Sequence, residues 1–184
     1  MSKLFVITGP SGVGKTSIAY QLLRQMPNLK KVITYTTRAP RPHEENGIDY
    51  HFVDDQTFNQ MKARAEFFES AQVYSHQYGS RIQDVEQLLS AGQNVLMVVD
   101  VQGAKTILEK KPDTIQICLL ADSPEILIKR LEQRDQGATD NFQTRLAKLK
   151  DELAYSQTCQ HIIINIQGEM DQTVEQIKQI MAKT

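Results

Sequence analysis

Leu4-Phe5-Val6-Ile7-Thr8-Gly9-Pro10-Ser11-Gly12-Val13-Gly14-Lys15-Thr16 is the stretch from which the fold is read. Leu4 to Thr8 is a short apolar run stopped by Gly9-Pro10, and it reads as a buried strand. Beyond the loop, Ile18, Ala19, Leu22, Leu23 and Met26 recur at helical spacing. Between strand and helix, Gly9 to Thr16 fits the pattern G-x-x-x-x-G-K-[ST] in full. Glycines there permit backbone angles that turn successive N–H groups inward around a phosphate. The start of the helix adds its own free N–H groups and a positive dipole end. Lys15 then reaches the β- and γ-phosphates, and the Thr16 hydroxyl ligates Mg²⁺. The alternative is a Gly-rich turn capping a helix by accident. From average residue usage, the four fixed positions coincide in a chain of this length well under ~1% of the time. The loop alone specifies a purine nucleoside triphosphate and leaves kinase, GTPase and ATPase open.

Working outward, Val95 to Val99, Ile115 to Leu120 and Ile162 to Ile164 are apolar runs that read as strands buried on both faces. Helical patterns lie among them: Gly103 to Lys110, Pro124 to Arg134, Phe142 to Tyr155 and Val174 to Met181. Pro124 suits a first helical turn. Strands alternating with helices predict an α/β fold, a mostly parallel sheet covered by helices on both faces. The middle of the chain differs. Val32 to Tyr35 is β-branched and aromatic and reads as a second strand, and Thr36 to Gly47 is a Pro- and Gly-containing loop. Short strands are expected at Tyr50 to Val53, Phe67 to Tyr74 and Gln77 to Gly79. Asp54-Asp55 caps a helix through Met61, and a further helix holds Val85, Leu88 and Leu89 before Gly92. This middle reads as a small mixed lobe inserted into the α/β core.

Composition narrows the class. The 184 residues suit one domain with small inserted lobes. At 40% hydrophobic and 23% charged, the chain is globular rather than disordered. A net charge of −1 supplies no basic field for nucleic acid or an anionic membrane. Cys118 and Cys159 sit in apolar stretches and read as reduced core thiols. The longest apolar runs are about a quarter of a membrane span. The N-terminal residues lack the long apolar stretch of a signal peptide, so the expected location is cytoplasmic.

Asp100, in Asp100-Val101-Gln102-Gly103, follows a buried strand, where a carboxylate can hold Mg²⁺ directly or through water. The same four residues also fit the Asp-x-x-Gly of a GTPase switch. A GTPase needs in addition an Asn-Lys-x-Asp guanine reader, and the chain has no Asn-Lys pair. In Thr36-Thr37-Arg38-Ala39-Pro40-Arg41-Pro42, two arginines flank a proline that stiffens the loop. Planar guanidinium forks preset toward one point suit bidentate binding of a phosphate.

These residues do not stand alone. Gly-Pro-Ser-Gly-Val-Gly-Lys-Thr is followed by Thr-Thr-Arg-x-Pro-Arg-Pro-x-Glu-x-Asn-Gly-x-Asp-Tyr-x-Phe, ending at Phe52. Then come Glu66-Phe67-Phe68-Glu69, Tyr78-Gly79-Ser80, Val98-Val99-Asp100-Val101-Gln102-Gly103-Ala104, Arg130-Leu131 to Arg134, Arg145-Leu146 and Ile162 to Asn165. Together these resemble the guanylate kinase family over essentially the whole chain. The resemblance implies transfer of the γ-phosphate of ATP to GMP or dGMP, with Mg²⁺. It divides the chain into a core at about 1–33, 86–121 and 146–184, a GMP-binding lobe at about 34–85, and a helical lid at about 122–145.

Carried over by position, the resemblance gives Arg38, Arg41, Tyr50 and Tyr78 the GMP phosphate, assisted by Thr34. Glu69 accepts from guanine N1–H and the exocyclic amine, and Ser80 donates to O6. Asp100 lies between GMP and the metal side. Arg134 and Arg145 close from the lid onto the ATP phosphates, and Asn165 lies near the adenine. The chemistry agrees, because guanine offers two adjacent donors that adenine lacks and one carboxylate can accept both. Four positions depart from the usual pattern: His43 in place of Gly, Ser70 in place of Trp, Arg81 in place of a small hydroxyl residue, and Ile166 in place of Asp. The lid, with Gly137 at its tip, and the lobe are expected to exclude water during transfer.

Two rival readings are a non-catalytic guanylate-kinase-like binding module and a related P-loop kinase for a phosphorylated sugar. The intact Gly9 to Thr16 loop weighs against the first, and Glu69 with Ser80 against the second. The expected partners are ATP and GMP, with no nucleic acid and no membrane. Oligomeric state stays open between monomer and homodimer.

Overall fold

The computed structural model describes residues 2–73, 75–123, 125–129 and 142–184, with 142–148 as backbone alone. The first half holds β1 (Leu4–Thr8), α1 (Lys15–Gln25), β2 (Leu29–Lys31), β3 (Tyr35–Thr36), β4 (His51–Phe52), α2 (Asp55–Ala63), β5 (Phe67–Val73) and β6 (His76–Arg81). It continues with α3 (Ile82–Ser90), β7 (Asn94–Val98), α4 (Val101–Lys110) and β8 (Ile115–Ala121). Helix α5 (Phe142–Ser156), strand β9 (His161–Asn165) and helix α6 (Met170–Lys183) complete it. Residues 125–129 are helical. Arg134 and Gly137 lie outside the described residues, and Arg145 falls in the part of α5 described as backbone alone.

The core sheet has the order β2-β7-β1-β8-β9, and every neighbouring pair is parallel. Side chains on a strand alternate between faces, and β1 uses both. Leu4 and Val6 join Val85, Val95, Met97 and Ala104 on one face. Phe5 and Ile7 join Ile18, Leu22, Val174 and Ile177 on the other. The two faces are thereby covered by α3 and α4 on one side and α1 and α6 on the other. Each such side chain stabilises the fold by roughly 1.5–3 kcal/mol when fully buried. This two-sided burial is why β1 and β7 read as unbroken apolar runs.

The second sheet, in the order β4-β3-β6-β5, is mixed: β3 runs parallel to β4 and antiparallel to β6, and β5 is antiparallel to β6. Its own small core is Phe58, Met61 and Phe67, with Phe58 and Phe67 stacked at 4.5 Å between centroids. The Asp54 carboxylate caps α2 by accepting from the Thr57 N–H at 2.7 Å. The lobe is joined to the core by α3, whose Val85 is buried in the core cluster, and by α4, whose Lys110 Nζ donates to the Phe68 carbonyl at 2.6 Å.

One expected strand is divided. Val32 to Tyr35 reads as a single β element, but it is the crossing between the two sheets. β2 ends at Lys31 in the core sheet and β3 begins at Tyr35 in the lobe. Val32 is buried in the core cluster, whereas Tyr35 packs on the lobe cluster. Local β propensity is the same for both segments; only the partner strand differs. Cys118 and Cys159 are free and buried. Among the described residues, no helix is long and apolar enough to cross a membrane.

Candidate active site

A cavity of about 540 Å³ opens between the core and the inserted lobe. Its volume falls within the usual range for small-molecule sites. The core wall is the loop between β1 and α1, with Ser11, Gly12, Gly14, Lys15 and Thr16, backed by Asp100 at the end of β7. The lobe wall carries Thr34, Arg38, Arg41, Tyr50, Glu69 and Tyr78.

The loop is built by steric exclusion. Gly9, Gly12 and Gly14 have φ of 132°, 85° and 99°, a region L side chains avoid. A Cβ on Gly9 would lie 2.1 Å from the Leu119 carbonyl oxygen, so β8 closes against the loop only because that side chain is missing. Lys15 Nζ donates to the carbonyls of Gly9 and Pro10 at 2.6 and 3.0 Å, which places the ammonium along the inner curve of the loop. The backbone N–H of Ser11 donates to Glu152 Oε2 on α5 at 3.3 Å. Asn165, expected near the adenine, stands behind this wall. Its side-chain amide donates to the Val13 carbonyl at 2.8 Å, and its Oδ1 accepts from the Thr173 hydroxyl at 3.0 Å. It therefore ties the loop to α6.

The lobe wall ends in a buried acid. Glu69 is 3% exposed, and the Ser80 hydroxyl donates to its Oε1 at 2.8 Å. Burial pushes its carboxyl up to about 7; the nearby Asp100 adds to the rise, and the Ser80 hydrogen bonds oppose it. A register shift positions it. Phe67 lies opposite Arg81, yet Glu69 lies opposite Ser80, so one extra residue is inserted in β5. Without that bulge, residues two apart would share a face. With it, Phe67 turns into the lobe core against Gly79 and Phe58, while Glu69 turns to the cavity beside Ser80 and Tyr78. Gly103 on α4 makes room. A Cβ there would stand 2.8 Å from Glu69 Oε2, 3.1 Å from Val99 Cβ and 3.3 Å from Asp100 Oδ1. Asp100 also caps α4, with Oδ1 accepting from the Gly103 N–H at 2.8 Å.

The arginine loop converges on one point. Arg38 donates from one terminal nitrogen to both oxygens of Glu44 at 2.9 Å. The Arg41 guanidinium lies 3.8 Å from Glu44 Oε1, and the Arg41 backbone N–H donates to Oε2 at 2.7 Å. Arg38 Nε is buried without a partner among the described residues. A buried N–H in that state favours an anion that can accept it. The Arg38 guanidinium lies over the Tyr50 ring at 5.4 Å, and Tyr50 meets Tyr78 edge-on at 6.1 Å. The structure thus brings Thr34, Arg38, Arg41, Tyr50, Glu69, Tyr78 and Asp100 to one cavity with Lys15 and Thr16. Ser80 is fully buried behind Glu69.

The unusual positions have different surroundings. His43 stands at φ 73°, a left-handed conformation that costs an L-residue roughly 1–2 kcal/mol. That is a physical reason for glycine at this turn. Arg81 faces away from the cavity, 3.5 Å from Glu66 and 2.8 Å from Gln83. Ile166 is exposed. Three contributing residues, Glu44, Gly103 and Glu152, were given no role from sequence. Glu44 carried a signal, the three-residue step from Arg38 through Arg41. Gly103 stands in the Asp-x-x-Gly motif, but its approach to Glu69, like that of Glu152 to Ser11, joins segments distant in the chain.

Comparison with known proteins agrees with this architecture. The family model described as "Guanylate kinase" matches residues 1–184. A guanylate kinase of Nitrosomonas europaea is 44% identical over 165 residues, spanning 90% of this chain and 82% of the relative. A guanylate kinase of Alkalilimnicola ehrlichii is 35% identical over 177 residues, spanning 96% and 86%. Among solved structures, the guanylate kinase of Anaplasma phagocytophilum superimposes with a TM-score of 0.79 at 26% identity, covering 99% of this chain and 85% of that one.

Proposed function

The chain belongs to the guanylate kinase family and transfers the γ-phosphate of ATP to GMP; from that premise we propose how its own residues divide the work. The loop from Gly9 to Thr16 holds the ATP phosphates through its backbone N–H groups and the dipole of α1. Lys15 leaves the carbonyls of its own loop for the β- and γ-phosphate oxygens, where its charge offsets the negative charge of the reacting group. Arg38 and Arg41 exchange Glu44 for the GMP phosphate, and the Arg38 Nε–H gains its acceptor. Tyr50 and Tyr78 donate to the same phosphate, with Thr34 beside them. Glu69 as carboxylate accepts from the two adjacent donors of guanine. Ser80 orients that carboxylate from behind, and its hydroxyl is the donor proposed for O6 if it turns away from Glu69. Asp100 lies between the two nucleotides. Arg134 and Arg145, carried over from the resemblance, would complete the charge balance at the ATP phosphates.

Thr16 and Asp100 both line the cavity, so hydroxyl and carboxylate oxygens of the kind Mg²⁺ takes are present on its core wall. When bound, Mg²⁺ neutralises charge on the ATP phosphates. The protein's own task is positioning: two anionic substrates are held in line, with water excluded.

The observation that carries this reading is the Glu69–Ser80 pair. A buried acid is costly unless a ligand uses it, and this one ends the cavity beyond the arginines. The test is ADP release with GMP, AMP, CMP or UMP as acceptor, in the wild type and in Glu69→Gln. GMP is expected to be the preferred acceptor, with kcat/KM falling about 10²–10³-fold in the variant because an amide cannot accept from both guanine donors. ATP affinity should stay unchanged. Equal GMP kinetics in the two proteins would remove Glu69 from the site.

A further inference from the structure

Helix α1 begins at the ATP-phosphate loop, and its second turn reaches the lobe. The Tyr20 hydroxyl donates to Asp49 Oδ1 in the loop before β4. The other carboxylate oxygen of Asp49 accepts from the Glu45 N–H at 2.8 Å. Lys31, the last residue of β2, donates from Nζ to the Asp49 backbone carbonyl at 3.1 Å. Its ammonium lies 5.5 Å from the centroid of the Tyr20 ring and 5.7 Å from that of Tyr50. Two core side chains therefore grip the residue next to Tyr50, and one of them also touches the Tyr50 ring. The same ring lies 5.4 Å from the Arg38 guanidinium. Burial pulls the Lys31 ammonium below its ordinary value, against the pull of Asp49. The Tyr20 hydrogen bond, with that from Glu45, holds the Asp49 carboxyl below its own.

We propose that Tyr20 and Lys31 are positioning residues for the acceptor nucleotide, a clasp that fixes Asp49, and through it Tyr50, against the helix that begins at the ATP loop. Neither residue lies among those lining the cavity. Their effect passes through the backbone of Asp49 and the stacked Tyr50 ring. The clasp sets the distance between the two phosphate sites from the acceptor side. It rests on the reading that Tyr50 and Arg38 hold the acceptor phosphate.

The experiment is steady-state kinetics with each substrate varied, together with melting temperatures, for Tyr20→Phe, Lys31→Met, Lys31→Arg, Asp49→Asn and the double variant Tyr20→Phe/Asp49→Asn. Tyr50→Phe is the reference. Tyr20→Phe and Lys31→Met should each raise KM for GMP about 3- to 10-fold, the scale of one net hydrogen bond. KM for ATP and kcat should stay within about twofold. The double variant should be no worse than the poorer single one, because both changes act on the same contact. Lys31→Arg, which keeps the charge and the donor, should restore KM for GMP. If Tyr50→Phe raises KM for GMP and Tyr20→Phe leaves it unchanged, the clasp is overturned and the site reading stands. If neither variant moves it, both fall. If KM for both substrates rises together with a drop in melting temperature, Tyr20 and Lys31 are structural only, and the clasp is likewise overturned.

Discussion

The two walls of the cavity present different kinds of group to an anion. On the core side the binding groups are backbone N–H groups, set by three glycines with positive φ and by the start of α1. On the lobe side they are side chains: two arginines, two tyrosines and a buried glutamate. A backbone cradle needs only a short contiguous segment of defined conformation and reads any phosphate. A side-chain site can tell one base from another, but it has to be assembled from β3, β5, β6 and the loop after β3, with α4 set back to leave space. The cost of specificity appears in its desolvated groups, Glu69 with a raised pKa and the Arg38 Nε without a partner among the described residues. On the proposed reading, the phosphate wall carries general affinity and the lobe wall carries the choice of substrate.

The strongest way to break this contrast is Lys15→Ala. Its ammonium supplies side-chain charge to a wall otherwise built of backbone. Turnover should fall about 10³-fold or more, the scale of removing a main transition-state donor. The melting temperature should hardly change, because the two loop carbonyls that Lys15 contacts can turn to water. A variant that keeps near-normal turnover would mean that the backbone suffices.

On the lobe side, Gly103→Ala places a methyl group 2.8 Å from Glu69 Oε2. The carboxylate must shift. KM for GMP should rise about tenfold, with a stability loss of about 1–3 kcal/mol from overpacking. KM for ATP should stay near its wild-type value. If the two KM values change together, the walls are not independent.

The smallest expected effect comes from pH and sharpens the role of Glu69. Only the ionised carboxyl accepts both guanine donors, so kcat/KM for GMP should rise ~10-fold between about pH 6 and pH 8 as a group near 7 ionises. Stability moves the other way. The folded chain holds this proton more tightly than the unfolded chain, where the ordinary value is 4.5. The group's contribution is therefore complete below the ordinary value and is lost as pH rises from there through about 7. Opposite slopes for acceptor use and thermal stability should be seen in the wild type and should vanish in Glu69→Gln. A flat wild-type profile would place the ionisation elsewhere.

Much of this was legible in the chain because the interactions are local. The loop from Gly9 to Thr16, the Asp54 cap and the Arg38 to Arg41 spacing each depend on residues a few positions apart. Where partners are distant, reading failed or stayed silent. Val32 to Tyr35 reads as one strand, since nothing local states that Lys31 pairs with Leu96 while Tyr35 pairs with Gly79 and His51. Asn165 is expected near the adenine from the resemblance, and nothing local states that its amide also holds Val13, 152 residues away along the chain. Nothing local to Tyr20 states that Asp49 lies beside it.

By itself the sequence determined the parallel α/β core, through apolar runs buried on both faces, and the phosphate loop, through glycines that alone tolerate its angles. It also specified the chemical types needed for a guanine nucleotide. Only the tertiary structure decided which of those groups meet. The bulge in β5 turns Glu69 to the cavity, the missing side chain at Gly103 leaves it room, and Glu44 binds both arginines. Backbone conformation is governed by neighbours in the chain, whereas the pairing of side chains is governed by strand register and helix packing over long separations.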